Sequence, residues 1–385
     1  MDFSLSAEQQ MIQDAVRKFA REQILPHSRE WDHAQKFPRE LLNHMGELGY
    51  LGVPIPEEYG GAGLDYIAEA IVFEEVGYAD SSVRTTLSVQ MSLVELTILH
   101  WGTEEQKRRY LPKLCSGEWL GCFGLTEPNA GSDAANIATT ARQEGDEWVL
   151  NGQKVWISNG TWADVAIIFA QTQPGSKHRG MVAFLVDTKT PGFSSRKMTG
   201  KLGLRASDTG ELFLEQVRVP DSARLGQVGE GFRIAMSALD NGRFGVASGC
   251  VGAAQHALDA SVRYAKERIA FARPIAGFQL VQDMLAQMKV NVEAARLLVY
   301  QAGWVKNRGE KSTIPVSIAK YYATEIAKQN ADMAIQIHGG YGYSDEYVPE
   351  RLWRDCRVAS LYEGTSQIQK LIIGRDLTGI SAFEG

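Results

Sequence analysis

Two short stretches carry side chains whose types and spacing could do chemistry. Leu361-Tyr362-Glu363-Gly364-Thr365-Ser366-Gln367 sets a lone carboxylate beside a glycine and two hydroxyls. Phe123-Gly124-Leu125-Thr126-Glu127-Pro128-Asn129-Ala130-Gly131-Ser132-Asp133 is a turn-rich run of hydroxyls and backbone donors, suited to cradling a polar, planar ligand. Taken alone, Glu363 is a surface-loop carboxylate, the commoner fate of such a residue. Only the elements that position the two stretches can change that reading.

The 385 residues are 44% hydrophobic and 22% charged, enough chain for two or three domains. A net charge of −6 announces neither nucleic acid nor an anionic membrane, although it leaves room for local basic clefts. Cys115, Cys122, Cys250 and Cys356 match no zinc or Cys-x-x-Cys spacing and predict free thiols in a cytoplasmic protein. The seven histidines give no metal-binding pair, and no metal is expected. No secretory leader and no apolar run long enough to span a bilayer is visible.

Residues 1–121 read as helical. Ser6 and Gln9 form a capping-box pattern before a helix over Gln10–Leu25 that Pro26 stops, and Tyr66–Val76, Leu87–Leu99 and Glu104–Leu111 follow. Residues 122–228 change character. Asn151-Gly152 predicts a tight hairpin turn, and Val165–Gln171, Met181–Val186 and Glu211–Val219 read as strands of a small antiparallel barrel or sandwich. Residues 229–385 return to helix. Leu280–Trp304 carries apolar residues on more than one face, which suits a bundle interior or a subunit interface. Pro315 sits where a first helical turn tolerates it. There is no Gly-x-Gly-x-x-Gly after a strand, no Walker loop and no nucleophile elbow. Gly339-Gly340-Tyr341-Gly342 follows a helix and reads as its C-terminal cap.

Several of these blocks, in this order, resemble the acyl-CoA dehydrogenase family across essentially the whole chain. Thr126–Asp133 is similar to its flavin signature and Trp156-Ile157-Ser158-Asn159-Gly160 to its second flavin-contacting strand; Arg268–Phe271, Gln279, Gln336–Gly340 and Tyr362-Glu363-Gly364-Thr365 match further motifs. The resemblance implies an α+β fold: an N-terminal helical domain, a middle β-domain and a C-terminal four-helix bundle. It also implies bound FAD, a homotetramer built as a dimer of dimers, and electron transfer to an electron-transferring flavoprotein.

By the same resemblance, Phe123, Leu125, Thr126, Gly131, Ser132, Trp156, Ile157 and Ser158 contact the flavin, with Ser158 giving its hydroxyl to N5. Arg268, Phe271, Phe278, Gln279, Gln336, Gly339 and Gly340 hold the rest of a neighbouring subunit's FAD, and Thr365 and Gln367 complete the cofactor contacts. Glu363 is implied as the base that takes the α-proton of an acyl-CoA thioester while flavin N5 accepts the β-hydride. The alternative base position of some relatives is Val246 here, which cannot serve. Ser132, Asp240, Arg243, Gly364 and Arg375 match substrate-contacting positions.

Val83–Val94 is similar to the stretch of glutaryl-CoA dehydrogenases in which an arginine pairs with the distal carboxylate of the acyl group. That implies an acidic substrate near Arg84 and Ser88, although Gly77 replaces the glutamate of that subgroup. A plain short-chain acyl-CoA is the alternative, with Arg84 paired to protein. A lyase-type relative, an oxidase and a non-enzymatic scaffold are further readings; the carboxylate at 363 argues against the first and the flavin signature against the last.

Overall fold

The computed structural model describes residues 4–382. Ser6 and Gln9 do form a reciprocal capping box, and it starts α1 (Ala7–Phe19). The chain then runs through a wide turn at Ala20–Ile24 and a tight one at Leu25–His27, where Pro26 lies, into α2 (Ser28–Ala34). α3 (Glu40–Glu47) precedes α4 (Tyr66–Ala79), which is buried from Ala68 to Ala79 and so forms the centre of its layer. Asp80 caps α5 (Ser81–Ser88), which continues through a π-type turn at Val89–Glu95 into α6 (Leu96–Trp101); α7 (Glu104–Cys115) completes the domain. A π-type turn rotates the following side chains relative to an ordinary helix, so the apolar spacing alone marks only part of this element.

The middle domain holds β1 (Gly121–Gly124), β2 (Thr140–Glu144), β3 (Glu147–Ser158), β4 (Val165–Gln171), β5 (Met181–Asp187), β6 (Phe193–Lys197), β7 (Thr209–Pro220) and β8 (Arg224–Leu225). They order as β6-β7-β3-β2-β4-β5-β8, with β1 beside β4. Most pairings are antiparallel, but β1 and β2 each join β4 in parallel. The expected turn at Asn151-Gly152 is overturned. β3 runs straight through it, and the β2–β3 hairpin turns at Gly145-Asp146 instead. Asn151-Gly152 marks a bulge, where the register to β7 shifts and Asn151 Oδ1 accepts from the Gln216 N–H at 2.9 Å. A side chain at 152 would collide with Thr139, so the glycine serves a close approach rather than a turn.

In the C-terminal domain α8 (Gly231–Glu267) leads to a short hairpin, β9 (Ile269–Ala270) and β10 (Arg273–Pro274). α9 (Gln279–Asn307), α10 (Thr313–His338), α11 (Val348–Ala359) and α12 (Ser366–Thr378) follow. Gly339, with φ +60°, closes α10 as its glycine pattern predicts. A single apolar cluster joins α8, α9, α10 and α11. α8 also packs tightly on α4: a Cβ at Gly77 would stand 2.6 Å from the Gly249 carbonyl oxygen. The β-domain is tied to the bundle where the Leu204 N–H donates to Asp355 Oδ1 on α11 at 2.6 Å.

Candidate active site

Glu363 lies in the loop between α11 and α12, at φ +52°, a conformation that costs a non-glycine residue roughly 1–3 kcal/mol. Three side chains from other helices hold it there. Lys320 Nζ on α10 donates to the carbonyls of Tyr362 (3.1 Å) and Gly364 (2.7 Å). Arg243 Nε on α8 donates to the Glu363 carbonyl at 3.0 Å, and Gln369 Nε2 to that of Gly364 at 3.0 Å. Thr365 caps α12 through its hydroxyl.

The carboxylate itself rests on α8 at Gly242, where a Cβ would fall 2.1 Å from Oε2. Oε2 is buried and has no hydrogen-bond partner among the described residues. Burial raises the Glu363 pKa to about 7 against the opposing pull of Lys320, Arg84 and Arg243. The Glu363 N–H donates to no acceptor among the described residues. A titratable carboxylate with a free oxygen and a free N–H beside it can take a proton and polarise a carbonyl.

Further along the same face of α8, Gly245 meets the hydroxyls of Ser88 and Ser92, and Gly249 meets the stem of Arg84. Arg84 is 3% exposed. Nη2 donates to the Tyr362 hydroxyl at 2.8 Å, while Nε and Nη1, like Ser88 Oγ, are buried without hydrogen-bond partners among the described residues. Arg84 makes no ion pair among the described residues. A side chain at Gly77 is excluded by Gly249, so α4 offers it no carboxylate at that position. Val246 is buried in the bundle.

The flavin-signature residues sit around β1 and β3. Phe123 and Leu125 are buried, Thr126 and Ser158 are partly exposed, and Gly131 and Ser132 are open to solvent. The Val155 N–H donates to the Thr126 carbonyl at 2.9 Å, which ties the signature loop to β3. Beneath it Lys154 Nζ, wholly buried, pairs with Glu127 Oε1 at 2.7 Å. Glu127 also accepts from the N–H groups of Ala138 and Thr139. Burial alone would raise its pKa; Lys154 and these donors outweigh that and hold it low. Trp156 is 62% exposed at φ +60°, so it is not the core aromatic that a β-domain tryptophan usually becomes, and Ile157 is buried behind it. An exposed indole beside open backbone fits a flat ring system.

A separate cleft of about 610 Å³ is lined by Tyr264, Arg268, His338, Gly339, Gly340 and Tyr341, among others. A Cβ at either glycine would meet nothing within 4 Å, so backbone is presented openly beside the Arg268 guanidinium, a setting suited to phosphate oxygens. Phe271, 92% exposed, stands at the hairpin tip edge-on to Phe278. Gln279, Gln336 and Gln367 are exposed. No hydrogen bond, ion pair or ring contact joins this cleft to the signature loop among the described residues. Asp240 accepts from Arg243 and Thr313, Gly364 adopts φ +88°, and Arg375 is exposed on α12.

Sequence reasoning passed over Lys320, Gly242 and the Lys154–Glu127 pair. Lys320 interrupts an apolar helical run, which was the available signal; Gly242 lies between Asp240 and Arg243, the two residues of its segment matched to substrate contacts.

The family description "Acyl-CoA dehydrogenase" matches in three parts: the N-terminal domain at residues 6–118, the middle domain at 122–217 and the C-terminal domain at 229–378. The chain is 45% identical over 385 residues to the glutaryl-CoA dehydrogenase of Desulfococcus multivorans, covering 99% of each. It is 44% identical over 368 residues to the mitochondrial short-chain specific acyl-CoA dehydrogenase of Homo sapiens, covering 96% of this chain and 89% of that one. A chain in the structure of the electron transferring flavoprotein of Acidaminococcus fermentans superposes with a TM-score of 0.96 at 43% identity, covering 98% of this chain and 100% of that chain. With the charged loop on α8, the open backbone around β3 and these likenesses together, the chain belongs to the acyl-CoA dehydrogenase family and is an FAD-dependent oxidoreductase.

Proposed function

We propose that this protein converts an acyl-CoA thioester bearing an acidic distal group to its trans-2-enoyl thioester. The observation that carries the reading is Arg84: a buried guanidinium on α5 with two donor nitrogens unpartnered among the described residues, packed on Gly249 of α8, the helix that meets the Glu363 carboxylate at Gly242. An uncompensated buried charge costs several kcal/mol, and a bound carboxylate would offset it. Ser88 supplies a neighbouring hydroxyl. The thioester end belongs at Glu363, whose carboxylate takes the α-proton and whose N–H polarises the carbonyl. Arg243 and Lys320 act by fixing the loop.

FAD would lie against Trp156, Ile157 and Ser158, with Thr126, Gly131 and Ser132 beside it, and would supply the hydride acceptor for the β-hydrogen. Arg268, Gly339 and Gly340 suit its pyrophosphate. Because no hydrogen bond, ion pair or ring contact among the described residues joins that cleft to the signature loop, each cofactor would be shared between copies of a homotetramer. Asp240 and Arg375 border the CoA-facing side, and an electron-transferring flavoprotein accepts the electrons.

A plain short-chain acyl-CoA is the second reading, favoured by the Arg84–Tyr362 bond, which already gives the cation one protein partner. Anaerobic titration of the yellow protein with glutaryl-CoA and butyryl-CoA separates the two. The acidic reading expects bleaching by glutaryl-CoA that Arg84→Ala weakens by roughly 100-fold while leaving butyryl-CoA nearly unchanged. Equal losses on both thioesters would refute it, and no bleaching by either would refute the dehydrogenation itself.

A further inference from the structure

Two wholly buried carboxylates stand near the candidate site with no part in the chemistry described above. Glu69 lies on α4, and Glu95 ends the π-type turn Val89–Glu95. Each keeps one oxygen, Glu69 Oε2 and Glu95 Oε1, without a hydrogen-bond partner among the described residues. Glu69 Oε1 accepts from the Ser92 hydroxyl at 3.3 Å. Ser92 is itself buried and packs on α8 at Gly245, where a Cβ would stand 3.2 Å from its Oγ. Gly242, which meets Glu363 Oε2, comes three residues earlier on the same helix. Positions three apart on a helix are neighbours, with about 5–6 Å between their Cβ atoms. The Glu363 carboxyl, the Ser92 hydroxyl and the Glu69 carboxylate therefore follow one another in that order.

The charged groups that act on Glu363 are Lys320, Arg84 and Arg243. As cations they offer donors and no lone pair, whereas a hydroxyl accepts and donates at once. Lys306 on α9 lies beyond Glu69: its charge acts on that carboxylate, and its Nζ donates to Asn241 Oδ1 at 2.6 Å. Lys306 is half-buried and its neighbour Asn307 is exposed, so this end of the series opens to water. Lys306 and Glu95 press on Glu69 with opposite sign. Burial outweighs Lys306 and raises Glu69 to about 7, the level that Glu363 also reaches. A proton passes between two carboxylates of equal affinity without a large step in free energy.

We propose that Ser92 and Glu69 relieve Glu363 of the α-proton and carry it toward the rim at Lys306. The Glu363 carboxyl gives its proton across one water to Ser92 Oγ, and the Ser92 hydroxyl passes its own to Glu69 Oε1. Glu363 is left ionised and Glu69 becomes the acid. At each stage one O–H bond breaks and one forms, and no electron moves. Ser92 and Glu69 act only through Glu363, so the inference rests on the reading of that residue as the proton acceptor.

The test is the entry of deuterium into the substrate. FAD-loaded protein is held anaerobically in heavy water with the acyl-CoA that bleaches it. Deuterium at the α-carbon of the recovered thioester is read by mass spectrometry, beside the rate of bleaching. Deuterium reaches that carbon only after Glu363 has exchanged its proton with solvent. Glu69→Gln and Ser92→Ala should each slow this exchange by about tenfold while bleaching stays within about twofold of the parent, and Glu69→Asp should restore exchange to within about threefold. Exchange at the parent rate in either of the first two variants, or bleaching that slows in step with exchange, would overturn the proposal, as would a parent that admits no deuterium. Should Glu69→Gln not fold, Ser92→Ala decides the question. Bleaching that survives Glu363→Gln would remove the base itself, and the proposal with it.

Discussion

Glu127 and Glu363 are both largely removed from water, both lie on loops, and both face a buried lysine, yet they end in opposite states. Glu127 is saturated: Lys154 and two backbone N–H groups use its oxygens, and its pKa is held low. Glu363 is deprived: Lys320 spends its donors on the neighbouring carbonyls, one carboxylate oxygen has no partner, and its pKa is driven up to about 7. The first arrangement fixes a loop, whereas the second leaves a carboxylate oxygen unpartnered among the described residues and its pKa raised to about 7. Burial by itself does not separate the two roles. Glu69 is also raised to about 7, with one oxygen orphaned, but its nearby hydroxyl is Ser92 and its backbone is ordinary helix.

The largest effect should come from breaking the saturated site. Lys154→Met leaves Glu127 as an unpaired buried carboxylate and should cost about 3–5 kcal/mol of stability at neutral pH, measured by urea unfolding, with loss of the yellow cofactor. A stable yellow Lys154→Met protein would mean that the pair does not organise the signature loop.

Next comes Gly242→Ala. The new methyl group needs the space of Glu363 Oε2, so the carboxylate must move. Bleaching by acyl-CoA should slow by roughly 100-fold with FAD retained, as a displacement near 1 Å can cause. Retention of full rate would place the working carboxylate elsewhere.

The pH dependence of stability gives a smaller, signed effect. The folded protein holds Glu363 protonated up to about 7, whereas an ordinary carboxyl ionises near 4.5. Ionising it therefore destabilises the fold progressively from about pH 4.5 to 7 and fully above that. Glu363→Gln should then be more stable than the parent above pH 7, by roughly 1–3 kcal/mol, and equal to it below pH 4.5. Smallest of all, Glu69→Gln should leave the pH profile of bleaching within a few tenths of a unit; a larger displacement would assign that titration to the wrong carboxylate.

Much of the scaffold was legible because local chemistry writes it. The Ser6–Gln9 box, the β4 run Val165–Gln171 and the terminal glycine of α10 are set by side chains a few residues away. Asn151-Gly152 misled because the same dipeptide that closes a hairpin also supplies a bulge, and only the β7 strand decides which. β1 was missed because four residues buried on both faces show no alternation. At the candidate site, the motif singled out Glu363. What fixes its loop and crowds its carboxylate was not readable, because Lys320, Arg243 and Gly242 come from 43 to 121 positions away in sequence and act on its backbone and its space.

The most direct measurement is the rate of anaerobic bleaching of the yellow protein by an acyl-CoA across pH 5–9, for the parent and for Glu363→Gln. The parent rate should climb with pH through about 7 and level off as the carboxylate ionises, while Glu363→Gln, still yellow, should be at least 1,000-fold slower and flat. A Glu363→Gln protein that keeps the parent's rate and pH profile would contradict the assignment of residue 363 as the proton acceptor.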